Sequence, residues 1–144
     1  MNVYRKKELL LSAIIGTEVG NRFRLNIDSE SESEIVINLL EDDKYGYTYN
    51  TIKLVLSQSP YNYMMYYFGE LDNIDKKKKI LELFNSFNAD IDPIKFFIDD
   101  NGSILGHMTY LSNDSFNGDD FIFHIIEFYK AIEENYYTEV ISVM

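Results

Sequence analysis

Two neighbouring runs of period-two alternation place the strongest limit on how this chain folds. "YGYTYNTIKLVLSQS", Tyr45–Ser59, and "YNYMMYYFGEL", Tyr61–Leu71, both read as strands, and the connection at Ser59 and Pro60 is too short for a crossover. The two must pair antiparallel as a hairpin. In the first arm Ile52, Leu54 and Leu56 alternate with Thr51, Lys53 and Val55, so one face belongs to a core. The second arm is bulky on both sides: Tyr61, Tyr63, Met65 and Tyr67 share one face, Met64, Tyr66 and Phe68 the other. If the first set packs beneath helices, Met64, Tyr66 and Phe68 form an exposed aromatic-methionine patch of the kind that marks a protein interface. The alternative is a second layer of helix over that face.

After Leu71 the period changes. In "DNIDKKKKILELFNSFNADID" the residues Ile80, Leu83, Phe84 and Phe87 form an i, i+3, i+4, i+7 stripe, with Asp72, Asn73 or Asp75 available as a cap. "IKFFIDDNGSILGHMTYL" reads as a second hairpin turning at Asn101 and Gly102 in a type I′ turn. "DDFIFHIIEFYKAIEENYYTEVI" places Phe121, Ile125, Phe128, Ile132 and Tyr136 on one helical face, with acids at its start to suit the helix dipole. Toward the N-terminus, residues 3–15 form a helix capped by Asn2, with Leu9, Leu10, Ala13 and Ile14 as its stripe. "RFRLNID" alternates as a short strand, and "DSESESE", residues 28–34, reads as a mobile acidic loop. "EIVINLLEDDKYG" carries both signals. Its β-branched residues favour a strand, whereas Ser31 with Glu34 matches a capping box and Val36, Leu39 and Leu40 share a helical face; the strand is preferred. The expected fold is α+β in one domain, 1–144: an antiparallel sheet of about five strands with helices packed on it, in the order α-βββ-α-ββ-α.

From about Ile74 onward, "KKKKILELFNSFNAD", "PIKFFIDDNGSILGHMTYL" and a long amphipathic final helix resemble the bacterial YbjN family and its wider type III secretion chaperone-like fold. The resemblance implies a small, acidic, often dimeric protein-binding fold without a catalytic site.

Charge narrows the function classes further. A formal charge of −11 excludes a general nucleic-acid binder, because neutralising phosphates takes a basic surface. The acids either keep an aromatic-rich protein in solution or bind a basic partner. In that second case Glu30, Glu32 and Glu34 would converge with Glu41–Asp43, Asp119 and Asp120 on one face, as in a phage or immunity-type inhibitor that blocks a basic nucleic-acid-binding target. No apolar run approaches the ~20 residues of a membrane span. "ELLLSAIIG" is short for a signal peptide, holds Glu8 and lacks a small-residue cleavage site. The chain has no cysteine, which removes disulfides, thiol nucleophiles and thiolate metal sites and fits a cytoplasmic location.

Catalytic candidates are few. His107 shares a strand face with Leu105, Thr109 and Leu111, and His124 sits one turn from Phe121 and Phe128; neither has a nucleophile or a ligand in register. "DDNG" and "NGDD" lack calcium-loop spacing and suit a turn and a helix cap. Lys76–Lys79 spread around more than a helical turn, so they cannot address one anion. There is no P-loop, G-x-G-x-x-G or G-x-S-x-G. The expectation is therefore a non-enzymatic protein-binding module without cofactor or metal, chaperone-like or regulatory. Its partner is a protein, with a second copy of the chain as the expected homodimer mate, and its binding residues are Met64, Tyr66, Phe68, Glu30, Glu32 and Glu34.

Overall fold

The computed structural model describes residues 1–90 and 92–144. Among them six strands form one sheet: β1 (Arg24–Glu30), β2 (Glu34–Asp42), β3 (Thr48–Ser57), β4 (Tyr61–Glu70), β5 (Lys95–Ile98) and β6 (Ser103–Leu111), in the order β1-β2-β3-β4-β6-β5. Every neighbouring pair is antiparallel. The helices are α1 (Val3–Ile14), α2 (Glu18–Arg22), α3 (Lys77–Asn88), α4 (Gly118–Asn135) and α5 (Tyr137–Val143). The α+β class is as expected, with one strand more than the expected five and two short helices, α2 and α5, added to the order.

The first strand overlaps the short strand expected in residues 22–28 and runs on into the acidic segment. Asp28, Ser29 and Glu30 complete β1 and Glu34 opens β2, so only Ser31, Glu32 and Ser33 are left as a turn. The expected 28–34 loop is thus mostly ladder: Ser29 pairs with Val36 and Glu30 with Ile35, after a bulge at Asp28. An edge strand needs backbone partners more than apolar side chains, which is why a polar run can occupy it. Ser31 and Glu34 close the hairpin instead of capping a helix: the Ser31 N–H donates to the Glu34 carbonyl at 2.9 Å, and the Ser31 hydroxyl accepts from the Glu34 N–H at 3.2 Å.

The three main helices follow their stripes. Asn2 caps α1, its Oδ1 accepting from the Tyr4 N–H at 2.7 Å. In α3, Ile80, Phe84 and Phe87 are buried, each such side chain contributing ~1.5–3 kcal/mol of transfer free energy. In α4 the buried row is Phe121, Ile125, Phe128 and Ile132. The expected single C-terminal helix breaks at Tyr136 (φ −126°, ψ −32°). That ring is held by Phe87 and Phe96, both at 4.8 Å between centroids, while its hydroxyl donates to Asp92 at 2.9 Å. Anchoring the ring in the core fixes where the chain leaves the α4 axis.

The β5–β6 connection is a type I turn followed by a glycine in the left-handed region, not the expected type I′ turn. Gly102 has φ +83°, and among the described residues no non-glycine has a positive φ. Asp99 explains the choice: its Oδ1 accepts from the Asn101 and Ser103 N–H groups at 3.0 and 2.8 Å, which holds Asn101 right-handed.

The helices cover one face of the sheet, and the core fills the gap with Ile35, Ile37, Leu39, Ile52, Leu54, Leu56 and Met64. A charge lies inside it. Lys6 of α1 is fully buried, and its ammonium donates to the carbonyls of Ser57 (2.6 Å), Ser59 (2.9 Å) and Ser112 (3.2 Å) and to Asn62 Oδ1 (3.1 Å). Burial pushes its pKa below the ordinary lysine value, and Asp114 pulls in the opposite direction. Among the described residues no helix is long and apolar enough to cross a membrane.

Candidate functional site

The faces of β4 are opposite to the expectation. Met64 is fully buried and Tyr66 is 4% exposed, both under the helices, and Phe68 packs against the same core, so these three residues form no exposed patch. Asn62 sets the phase. It occupies the helix-facing row with Met64 and Tyr66, where its Oδ1 receives Lys6 and its amide donates to the carbonyls of Tyr110 and Ser112. A polar residue in the core row, beside aromatic residues in both rows, hides the phase from a reading of hydrophobicity.

The helix-free face is therefore built by the other row. Register runs Asn38, Lys53, Met65, His107 and Lys95 across β2, β3, β4, β6 and β5, and beside it Val36, Val55, Tyr63 and Thr109. Tyr63 and His107 lie 5.2 Å apart, with Phe97 edge-on to the imidazole at 6.1 Å. Burial pushes the His107 imidazole below its ordinary pKa, so it is neutral at neutral pH. A shallow cavity of about 420 Å³ lies among Lys53, Met65, Tyr67, Leu105 and Glu70. One atom on this face lacks a partner. Asn38 is 7% exposed, and its Oδ1 is, among the described residues, the buried side-chain acceptor with no hydrogen bond.

A second cavity, about 670 Å³, opens where β2, β3 and β4 end beneath α4 and α5. Its walls are Tyr49, Tyr66, Phe68, Tyr129 and Tyr137, and its carboxylates are Glu41, Asp42, Asp43 and Glu133. Three of these four phenols are tied to an acid: Tyr49 donates to Asp43 (2.9 Å), Tyr129 to Glu41 (3.3 Å), and Tyr66 to Glu133. Burial and then the carboxylate partners push Tyr66 upward, and Tyr129 is pushed up to about 12. Arg22 lies across the rim, its guanidinium 4.7 Å from the Tyr129 ring centre and its Nε 3.9 Å from Glu41. Tyr129 and Glu133 stand one helical turn apart on α4, but no local spacing joins them to residues 41 and 66, so the sequence does not announce this cavity.

The predicted acidic cluster does not converge. Glu30 points to the helix side and pairs with Lys7, Glu32 stands at the turn, and Glu34 begins β2 on the opposite face, beside Ser57. Glu41–Asp43 lie at the far end of that strand, some ~25 Å away at strand rise. Asp120 is at the start of α4, accepting from Tyr110 at 2.6 Å. His124 Nδ1 is 2.7 Å from the Asp120 carbonyl of its own helix. Lys76 donates to the Met144 carbonyl at 2.7 Å. Among the described residues no group of three or more His, Asp or Glu is placed to hold a metal ion. No family model, curated protein or solved structure matches this chain.

Proposed function

We propose that this protein is a non-enzymatic protein-binding module, chaperone-like or regulatory as its resemblance to YbjN-like proteins implies, and that its contact surface is the helix-free face of the sheet. The carrying observation is that this face has, among the described residues, no helix over it and sets Val36, Val55, Tyr63 and Met65 side by side, with a buried acceptor, Asn38 Oδ1, unpaired beside them. A second copy of the chain is the occupant favoured by charge. The chain carries −11 overall, yet the central row of this face holds Lys53 and Lys95 and no carboxylate, while Glu34, Glu70 and Asp99 stand around it, so a second copy can set its acids against these lysines.

Light scattering at micromolar concentration tests this. The wild-type chain is expected to be a dimer, and Met65→Lys with Tyr63→Lys is expected to give a folded monomer by circular dichroism. A wild-type monomer, or a dimer unchanged by both substitutions, refutes the sheet-face reading.

A further inference from the structure

The sheet has two edges, and the chain closes one of them. At β5 the Asn88 side chain stands in for a neighbouring strand: its Oδ1 accepts from the Phe96 N–H at 2.8 Å, and its amide donates to the Phe96 carbonyl at 2.9 Å. Lys95 ties the same strand to the end of α3, donating to the carbonyls of Asn88 (3.4 Å) and Asp90 (3.2 Å). β1 is treated differently. Among the described residues no side chain or loop bonds the outer backbone groups of 24–30. Six of the seven residues of β1 are exposed and Leu25 is half-buried. Ile27, an apolar side chain at this open rim, is 38% exposed. Such a row of free N–H and C=O groups is a template for one more strand.

We propose that β1 pairs antiparallel with β1 of a second copy about a two-fold axis at Asn26, so that two sheets join edge to edge. The stretch "RLNID", residues 24–28, is complementary to itself about that point. Arg24 meets Asp28 of the second copy, Leu25 meets Ile27, and Asn26 meets Asn26, and residues directly opposite one another are the pairs through which antiparallel strands attract. Arg24 is equipped for this: its Nε and Nη2 are held by Asp42 at 3.1 and 3.0 Å, and its Nη1 is uncommitted among the described residues. Leu25 and Ile27 stand in register with Leu39 and Ile37 of the core, so pairing them carries the apolar layer past the edge. The neighbouring registers fail. Centring on Leu25 sets Arg24 against Asn26 and Ile27 against the buried Phe23, and centring on Ile27 runs the ladder across the bulge at Asp28. This edge is a different surface from the helix-free face, so the two contacts stand or fall separately.

The test is sedimentation equilibrium of the full chain carrying Met65→Lys and Tyr63→Lys, which removes the face contact, between ~10 µM and ~1 mM, the range in which a small interface associates. The expected result is a monomer at the lower concentration and a dimer at the upper, with amide hydrogen exchange slowed at alternate residues of 24–28. Arg24→Asp and Asp28→Arg, each added singly to that chain, are expected to weaken association about tenfold, because two symmetry-related pairs turn from attraction to repulsion. An equimolar mixture of those two chains is expected to restore it as a heterodimer, since each then meets its opposite charge. A chain that stays monomeric at the upper concentration, as it would if the edge took a strand of another protein, overturns the proposal. So does a mixture that associates no better than its parts. A wild-type chain that is monomeric at micromolar concentration while the edge dimer persists refutes the sheet-face reading and keeps the edge.

Discussion

Lys6→Met removes the ammonium from the core and keeps the length of its stem. The ammonium has three hydrogens for four acceptors, the carbonyls of Ser57, Ser59 and Ser112 and the Asn62 side chain. Three bonds from a charged donor amount to roughly 4–5 kcal/mol at ~1.5 kcal/mol each. Part of that returns, because the desolvation penalty of the ammonium disappears with it, leaving a net loss of about 3 kcal/mol. Asn62 retains the Ser57 N–H at 3.2 Å and the Ser112 carbonyl keeps the Asn62 amide at 2.8 Å, so the loss falls mainly on Ser57 and Ser59. For a chain of this size the expected fall in Tm is about 10 °C. Urea and thermal unfolding followed by far-UV circular dichroism measure it. A variant within about 0.5 kcal/mol of wild type, or more stable, would mean that desolvation dominates and that the cage does not stabilise the fold.

The phenol-carboxylate pairs predict alkaline unfolding. Tyr67, Tyr129 and Tyr136 are pushed up to about 12 by burial and then by their acid partners, and Tyr66 and Tyr110 are raised for the same reasons. Because the unfolded chain loses these protons first, near pH 10, their stabilisation is complete below that pH and is lost as pH rises toward about 12. Of the tyrosinate absorbance of twelve tyrosines at 295 nm, the last part is expected to rise together with loss of far-UV ellipticity, and a complete rise near pH 10 with the fold intact refutes it. Gly118→Ala is expected to destabilise by about 2–3 kcal/mol despite the better helix propensity of alanine, because its Cβ would lie 2.2 Å from the Leu9 carbonyl oxygen and 2.9 Å from Ala13 Cβ. A raised urea midpoint would show that α1 moves away at no cost.

Some of this architecture is written in local spacing and some is not. Ile80, Phe84 and Phe87 declare α3, and the Ile52-Leu54-Leu56 row declares the core face of β3, because one stripe meets one surface. β4 defeats that logic, since its two rows look equally apolar and the deciding contact, Lys6 on Asn62, joins residues 56 positions apart. The end of β1, Ser29 and Glu30, was obscured because an edge strand can be polar, and the break at Tyr136 because it depends on Phe87, Phe96 and Asp92. Of the expected site residues, Tyr66 and Phe68 do line a cavity, on the side opposite to that foreseen and in company with Glu41 and Glu133.

The caged lysine also sets a clock on biosynthesis. One of the acceptors of Lys6, the Ser112 carbonyl, leaves the ribosome 106 positions after it. At ~5–20 residues per second that interval is roughly 5–20 s. Throughout it α1 holds an apolar stripe and a charge with nowhere to put either, while the β3–β4 hairpin forms from local contacts. Although α1 is made before the sheet, it is thus among the last elements to dock.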